Sequence, residues 1–541
     1  MCTKNPFSTL DLRCFPKLAH LKLILTFTKI HFMRNCFFLF LVALLVTMSS
    51  CRKDFEFESS TGDLRFSRDT VYLDTVFTNI GSSTYTLKVY NRSDKDINIP
   101  KVQLGNGLDS KYRITVDGVT GNNKIFNNVE LLANDSLYIF IETTASIADA
   151  NPTDFLYTDQ IQFDTGSNLQ TVELVTLIQD AVFLYPQRFI DGTTETLQIG
   201  EDDIYGFFLD ENDPVNGNEY LFTNERPYVI YGYAAVNTGK TLNIQPGARV
   251  HFHDGSGIIV ASGGSIQAIG APSDPDTTNN EIIFEGDRLE PDFSDIPGQW
   301  GTIWLTSGSA ASTFEHVTIK NAVIGLYVQN NAGPLTLNNT QIYDCSNYGL
   351  LAQTATITGQ NMVINTAGLA TLACTLGGSY DFTHCTFNNN WPSSKQVAVV
   401  VDNFYKDENN NEVPFDLQQA NFTNCIIFGS NQVELILNKS TIDPASNWST
   451  PIFTKCQIKF NNTNNQFTNN ENYQFINNTA EIIKNGTPDF LDINSNQLMI
   501  GDNSAGNGFG NTTAVTSDIF GVFRVAGSID LGAYQHFTFE D

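Results

Sequence analysis

Between Arg288 and Arg524 the chain contains no arginine, and basic residues are scarce throughout. Thirty Lys and Arg stand against 58 Asp and Glu in 541 residues, for a formal charge of −28. That balance repels phosphate backbones, so no nucleic-acid partner is expected. No CxxC or Cys/His spacing of the zinc type occurs. No apolar run reaches the roughly 20 residues that a spanning helix needs. Zinc modules and membrane-spanning helices are therefore set aside.

What is present begins with "MRNCFFLFLVALLVTMSSC". Arg34 gives a short positive region, Cys36 to Met48 an apolar core of signal-peptide length, and Ser49 and Ser50 small residues before a cut. Met48-Ser49-Ser50-Cys51 resembles a bacterial lipobox, which implies cleavage before Cys51 and acylation of that residue. Residues 33–50 are then a lipoprotein signal peptide, and 1–32 are expected to be a mis-called start. The acidic tether 51–62 opens with "CRKDFEFE", similar to the signal that sends some Gram-negative lipoproteins to the cell surface. The expected location is the outer membrane, lipid-anchored, with the sequence leaving open which leaflet holds it and the acidic run pointing to the cell surface.

From residue 63 to 181 short alternating strands such as "DSLYIFIETT" and "TVELVTLIQDA" are separated by polar turns without a helical period. This predicts a β-sandwich and resembles the immunoglobulin-like domains found near the N-terminus of surface lipoproteins. A connecting segment is expected over 182–235.

A repeat then organises residues 236–541. "FEHVTIKN", "LNNTQIYD", "FTHCTFNN", "FTNCIIFG" and "FTKCQIKF" share one frame, with a looser member at "TGQNMVIN". Their apolar anchors are Ile319, Ile342, Val363, Phe387, Ile427 and Ile458, at intervals of 23, 21, 24, 40 and 31. Strands recurring at 20 to 24 residues fit one coil of a solenoid. With "GQWGTIWL" at Gly298, the pattern resembles the right-handed parallel β-helices of the pectin-lyase-like superfamily. The fold class expected is all-β: an immunoglobulin-like sandwich followed by a right-handed parallel β-helix.

Two positions before the anchors stand Val317, Thr340, Asn361, Cys385, Cys425 and Cys456, and strand period two points them inward as a stack of core thiols. Cys345 and Cys374 complete five cysteines beyond Cys51, an odd number. Two positions after the anchors come Asn321, Asp344, Asn365 and Asn389, expected as a structural ladder at a corner where asparagine tolerates left-handed backbone. Asp518, Gly521, Arg524, Asp530 and Tyr534 are expected to form a terminal cap in which Arg524 pairs with an aspartate.

β-Helices of this superfamily often cleave acidic polysaccharides, yet no catalytic set is recognisable. Lyases use a cationic base beside calcium-binding carboxylates, and the arginine-free stretch offers no such motif. His251 and His253 in "VHFHD" share a strand face with Val250 and Phe252 taking the other, so they read as solvated outer residues. Asp407 opens "DENNNE" like a calcium loop, but Glu412 replaces the required glycine. No cofactor is expected, and Ca2+ is supported by no motif. Trp391 and Trp448 lie in polar turns, where an indole could stack on a sugar. The expected function is a non-catalytic outer-membrane or cell-surface scaffold, anchored to the membrane through Cys51 and binding a polysaccharide or another surface protein. The alternative is a divergent polysaccharide lyase or glycoside hydrolase on the same scaffold; a deep groove with convergent acids and a lysine would favour it.

Overall fold

The computed structural model describes residues 56–539 except Glu201, 274–277 and 443–447. The signal segment 33–50 and Cys51 lie outside the described residues. The chain is all-β, with large multi-stranded sheets. Among the described residues no helix is long and apolar enough to cross a membrane.

Two facing sheets form first. One holds Glu58–Ser59, Ile97–Leu104, Leu156–Phe163, Gln170–Gln179 and Thr70–Phe77 in that order, with Ile125–Leu131 on Ile97–Leu104. The other holds Arg65–Phe66, Tyr85–Tyr90, Ser136–Thr143, Tyr112–Val116 and Val119–Thr120. Alternation decides which side chains enter the core. In Ser136–Thr143, Leu137, Ile139 and Ile141 are buried while Tyr138 and Phe140 face out.

A 26-stranded sheet follows, and it begins at Val182–Leu184, which pairs with Tyr228–Ile230. The segment 182–235, expected as a connection, therefore supplies strands of the stack. Pairing is parallel and initially joins each strand to the third one after it, as when Tyr228–Ile230 meets Arg249–Phe252 and Tyr233–Val236 meets Gly257–Val260. Each coil thus has three faces. One inward column runs Val250, Phe284, Ile319, Ile342, Ile364, Phe387, Ile427, Ile458, all buried.

That register corrects one anchor. Ile342 pairs with Ile364, not with Val363, so the inward residue two positions earlier is Met362 rather than Asn361. A slip of one residue exchanges the faces. The other inward positions stand as expected, and Cys385, Cys425 and Cys456 are buried free thiols in one column beside Met362.

Asn361 belongs to a different column, immediately before the inward one. His316, Asn339, Asn361, His384, Asn424 and Lys455 all have left-handed backbone, with φ of 49°, 46°, 50°, 56°, 56° and 51°. At this bend the coil turns from one face to the next in a single residue, and Asn and His are among the side chains that accept such φ most readily. Asn339 Nδ2 donates to His316 Nε2 at 3.1 Å, Asn361 Nδ2 to Asn339 Oδ1 at 3.0 Å, and Asn424 Nδ2 to His384 Nε2 at 2.9 Å. This is the polar ladder of the stack.

The end of the stack is closed before the tail begins. Phe382, Phe422, Phe453 and Phe475 stack at successive centroid distances of 5.4, 4.8 and 4.6 Å, and Tyr473 and Ile476 of the 3-10 helix Glu471–Asn477 are buried beneath the last coils. The tail, expected as a terminal cap, lies along the side of the coils instead. Leu498, Ile519, Ala533 and Tyr534 cover Tyr343 and Val363, while Ile500 and Leu531 cover Ile426. We call residues 487–537 the strap. Arg524 pairs with no aspartate side chain: it donates to the carbonyls of Asp530 and Gly532, to Gln535 Oε1 and, at 3.0 Å, to Asn361 Oδ1 of the ladder. Burial pushes its pKa down to about 10, so it remains charged at neutral pH. Asp530 accepts instead from His536, and Asp518 accepts backbone N–H groups.

Because Arg524 satisfies four neutral acceptors at once, Arg524→Met is expected to destabilise the strap by about 3 kcal/mol. Hydrogen exchange of residues 512–537 should rise while the coils around Cys425 remain protected. Unchanged exchange would contradict the role of Arg524 as the clamp.

Candidate functional site

One face of the stack presents a continuous outward column. Ile259, Trp304, Tyr327, Leu351, Ala373, Val400 and Ile436 follow one another in register. The residues on either side of each, such as Ile303 and Leu305 or Leu326 and Val328, point inward and are fully buried. A second outward column of Ile324, Tyr348, Ala370 and Val397 runs beside it.

The hairpin of Thr196–Ile199 and Asp202–Phe208 lays Leu197, Ile199 and Ile204 over Ala235 and Ile259. From Trp304, which packs at the hairpin's margin, the column runs to Ile436 over six coils, about 24 Å at the usual spacing of parallel strands, with Ala373 buried among its neighbours. Trp304 and Tyr327 stack at 5.5 Å with their rings 17° from parallel. Beside them, Trp304 Nε1 donates to Gln329 Oε1 at 2.9 Å and Tyr327 OH to Gln353 Oε1 at 2.8 Å. The two rings stack on each other, so the strip offers their edges, aliphatic neighbours and flanking amides, which suits a ligand with both C–H and hydroxyl groups. Two coils further along the edge, past Thr375, burial raises the pKa of Asp402 to about 6.

The tryptophans singled out from the sequence lie elsewhere. Trp448 packs on the core, bridges to Leu417, and its buried Nε1 has no hydrogen-bond partner among the described residues. Trp391 is half-buried over the corner at Gly368. The expected ladder of Asn321, Asp344, Asn365 and Asn389 does not form a chain of mutual bonds. Asn321 donates to the carbonyls of Ser294 and Ile296, and Asn389 to those of Ala367 and Val397. Asp344 and Asn365 are joined through Asn496 of the strap, which donates to Asp344 Oδ2 at 2.7 Å and accepts from Asn365 Nδ2 at 2.8 Å. Asn365 also accepts from Asn388. The reason is the one-residue slip, which leaves Asn365 facing outward beneath the strap.

His251 is also corrected. It is buried, not solvated: the first sheets press Phe77 against its ring at 5.0 Å. Burial lowers its pKa, and Glu285 lies 3.6 Å away. His253 bonds Asp287 at 2.8 Å at the surface. Asp407 caps the turn of the hairpin Phe404–Lys406 and Glu412–Pro414 by accepting from the backbone of Asn409 and Asn411. Among the described residues no group of three His, Cys, Asp or Glu is placed to hold a metal.

A groove of about 520 Å³ opens between the coils and the strap. Glu281, Asp295, His316, Thr318, Lys320 and Asp344 line it from the coil side, and Asn496, Met499, Phe520 and Tyr534 from the strap side. Asp344 is 5 % exposed, and burial pushes its carboxyl up to about 7, with Asp295 adding repulsion. Lys320 is held by Glu285 at 2.8 Å.

No family model matches the chain, and no curated protein matches it. Among solved structures, a PapD-like domain of human CEP192 is 13% identical over 24% of this chain and 94% of its own, with a TM-score of 0.14. The E. coli chaperone DraB is 14% identical over 28% and 80%, with a TM-score of 0.15. A family 123 glycoside hydrolase from Clostridium perfringens is 10% identical over 22% and 26%, also at 0.15. None of these likenesses bears on the site.

The raised pKa of Asp344 has a consequence for stability. Between the model-peptide value of 3.8 and about 7 the folded state binds more protons than the unfolded one, so this group's stabilisation falls as pH rises through that window and is constant above it. Asp344→Asn should therefore flatten the decline and stabilise the fold at pH 8 by up to about 4 kcal/mol. Thermal melts of both proteins from pH 4 to 8 measure this, and parallel curves would contradict it.

Proposed function

We propose that this chain is a lipid-anchored protein of the outer membrane, exposed at the cell surface, in which an immunoglobulin-like sandwich spaces a right-handed parallel β-helix that binds glycan chains without cleaving them. The observation that carries the reading is the outward column from Trp304 to Ile436 with its edge of Gln329 and Gln353. A linear polymer of rings can lie along such a column, one ring face after another, while the amides meet its hydroxyls. Aromatic side chains provide this at low conformational cost because the core beneath fixes them. The net charge of −28 favours neutral chains over polyanions. Trp391 and Trp448 would be secondary contacts at most, since each ring already covers a turn or the core.

Binding of neutral polysaccharides to the chain from Cys51 onward tests the reading. Trp304→Ala should weaken affinity roughly tenfold, the equivalent of one lost stacking contact. In cells, Cys51→Ala should abolish incorporation of labelled palmitate and release the protein from the membrane fraction. Silence on both glycan arrays and protein pull-downs would count against a binding scaffold.

A second reading, a polysaccharide lyase or glycoside hydrolase on the same scaffold, has one observation in its favour: a protonatable Asp344 in the groove near Lys320. A raised carboxyl pKa is what a general acid requires at neutral pH. Reducing or unsaturated ends released by the wild type and not by Asp344→Asn would decide for it.

A further inference from the structure

The groove beneath the strap is separate from the long face, and its walls differ in kind. A hydrogen-bonded set on the coil wall is joined by Tyr534 from the strap. Glu281 Oε1 accepts from Thr318 Oγ1 at 2.5 Å and from Gln341 Nε2 at 2.8 Å, while Gln341 Oε1 accepts from Tyr343 OH at 2.7 Å and Tyr534 OH at 3.5 Å. Glu281 and Tyr343 are buried and Tyr534 is 3 % exposed, so the set is fixed in place rather than mobile at the surface. The strap wall contributes the apolar Met499, Ile519 and Phe520.

We propose that this groove is a second binding site, for the end or a branch of a neutral oligosaccharide one or two rings long. The inference rests on the reading of the chain as a glycan binder and adds a site and a charge preference to it. Three features select the ligand. The volume lies within the range of small-molecule sites, enough for one or two rings. The coil wall is mainly hydrogen-bonding, and the strap sets apolar Met499, Ile519 and Phe520 beside polar Asn496 and the Tyr534 hydroxyl, a mixture that suits the hydroxyl edge and the C–H face of a pyranose. Glu281, Asp295 and Asp344 line the groove, and its one lysine, Lys320, is already paired with Glu285, so a uronate would meet repulsion. The strap that forms one wall is locked to the coil ladder through Arg524 and Asn361, so the site is preformed.

The site also gives the strap a use beyond covering apolar surface. Leu498 and Tyr534 cover Tyr343 and Val363, and on the same stretch of strap Met499, Phe520 and Tyr534 face the groove. A ligand seated there would bridge strap and coils and should slow their separation.

The test is calorimetric titration of the chain from Cys51 onward with cellobiose, maltose, laminaribiose and diacetylchitobiose, and with digalacturonate as the charged control. At least one neutral disaccharide should bind, at least tenfold more tightly than digalacturonate. Met499→Trp, which fills the groove from the strap, should abolish that binding. Ile283→Trp fills it from the opposite wall, and Gln341→Ala should weaken binding at least tenfold. Trp304→Ala should leave it unchanged, and melting temperatures identify any variant that has lost its fold. Disaccharide binding indifferent to all three groove variants would overturn this inference. So would the absence of disaccharide binding in a protein that still holds polysaccharide through Trp304, with the long face left standing. If neither disaccharides nor polysaccharides bind, both readings fall together.

Discussion

In-register parallel pairing is the constraint on which everything else here depends. Each strand takes its alternation of inward and outward residues from the coil beneath, so one pairing decides every later one. Ile319 on Ile342 on Ile364 fixes Met362, Cys385, Cys425 and Cys456 as core and fixes Thr318, Gln341 and Val363 as surface. The same inheritance lines up Trp304 with Tyr327 and Leu351 on another face, residues more than 20 positions apart in sequence. This apolar column, with its two stacked rings, is a product of coil stacking, not of any local motif.

The strap changes what an outward position means. Where it lies across the coils, Val363 and Ile426 become as buried as core residues. This second, lateral core needs polar anchoring as well as apolar cover, and the ladder supplies it: Asn361 reaches Arg524 and the carbonyl of Ser517, and Asn424 exchanges two bonds with the backbone of Asn511. The ladder thus holds the coils in register and also fastens the tail. Where the strap stands away from the coils, the groove remains between them.

This division explains what the sequence disclosed and what it concealed. The repeat and the inward cysteines were legible because each obeys the local period and recurs, whereas the ladder stands in a different column from the Asn321, Asp344, Asn365 and Asn389 expected for it. The third position of "FEHV", "LNNT", "FTHC" and "FTNC" also carried the ladder, visible as an alternation of His and Asn. Val363 misled because both it and Ile364 are apolar and buried, one by the coil and one by the strap, so no polar neighbour marks the outer face. His251 misled for a similar reason, since the cover that buries it comes from Phe77 in the first sheets. Trp304 stood in the quoted "GQWGTIWL", but its role depends on Tyr327, Gln329 and the hairpin at Leu197, which no window around it contains.

A glycan seated on the long face would cover Trp304 and Tyr327. Hydroxyl-radical footprinting with saturating polysaccharide addresses this directly, because oxidation reports each aromatic side chain separately. Trp304 and Tyr327 should be protected together, with Trp391 and Trp448 unchanged. Protection confined to Trp391 or Trp448, or none at Trp304 while the glycan is bound, would contradict it.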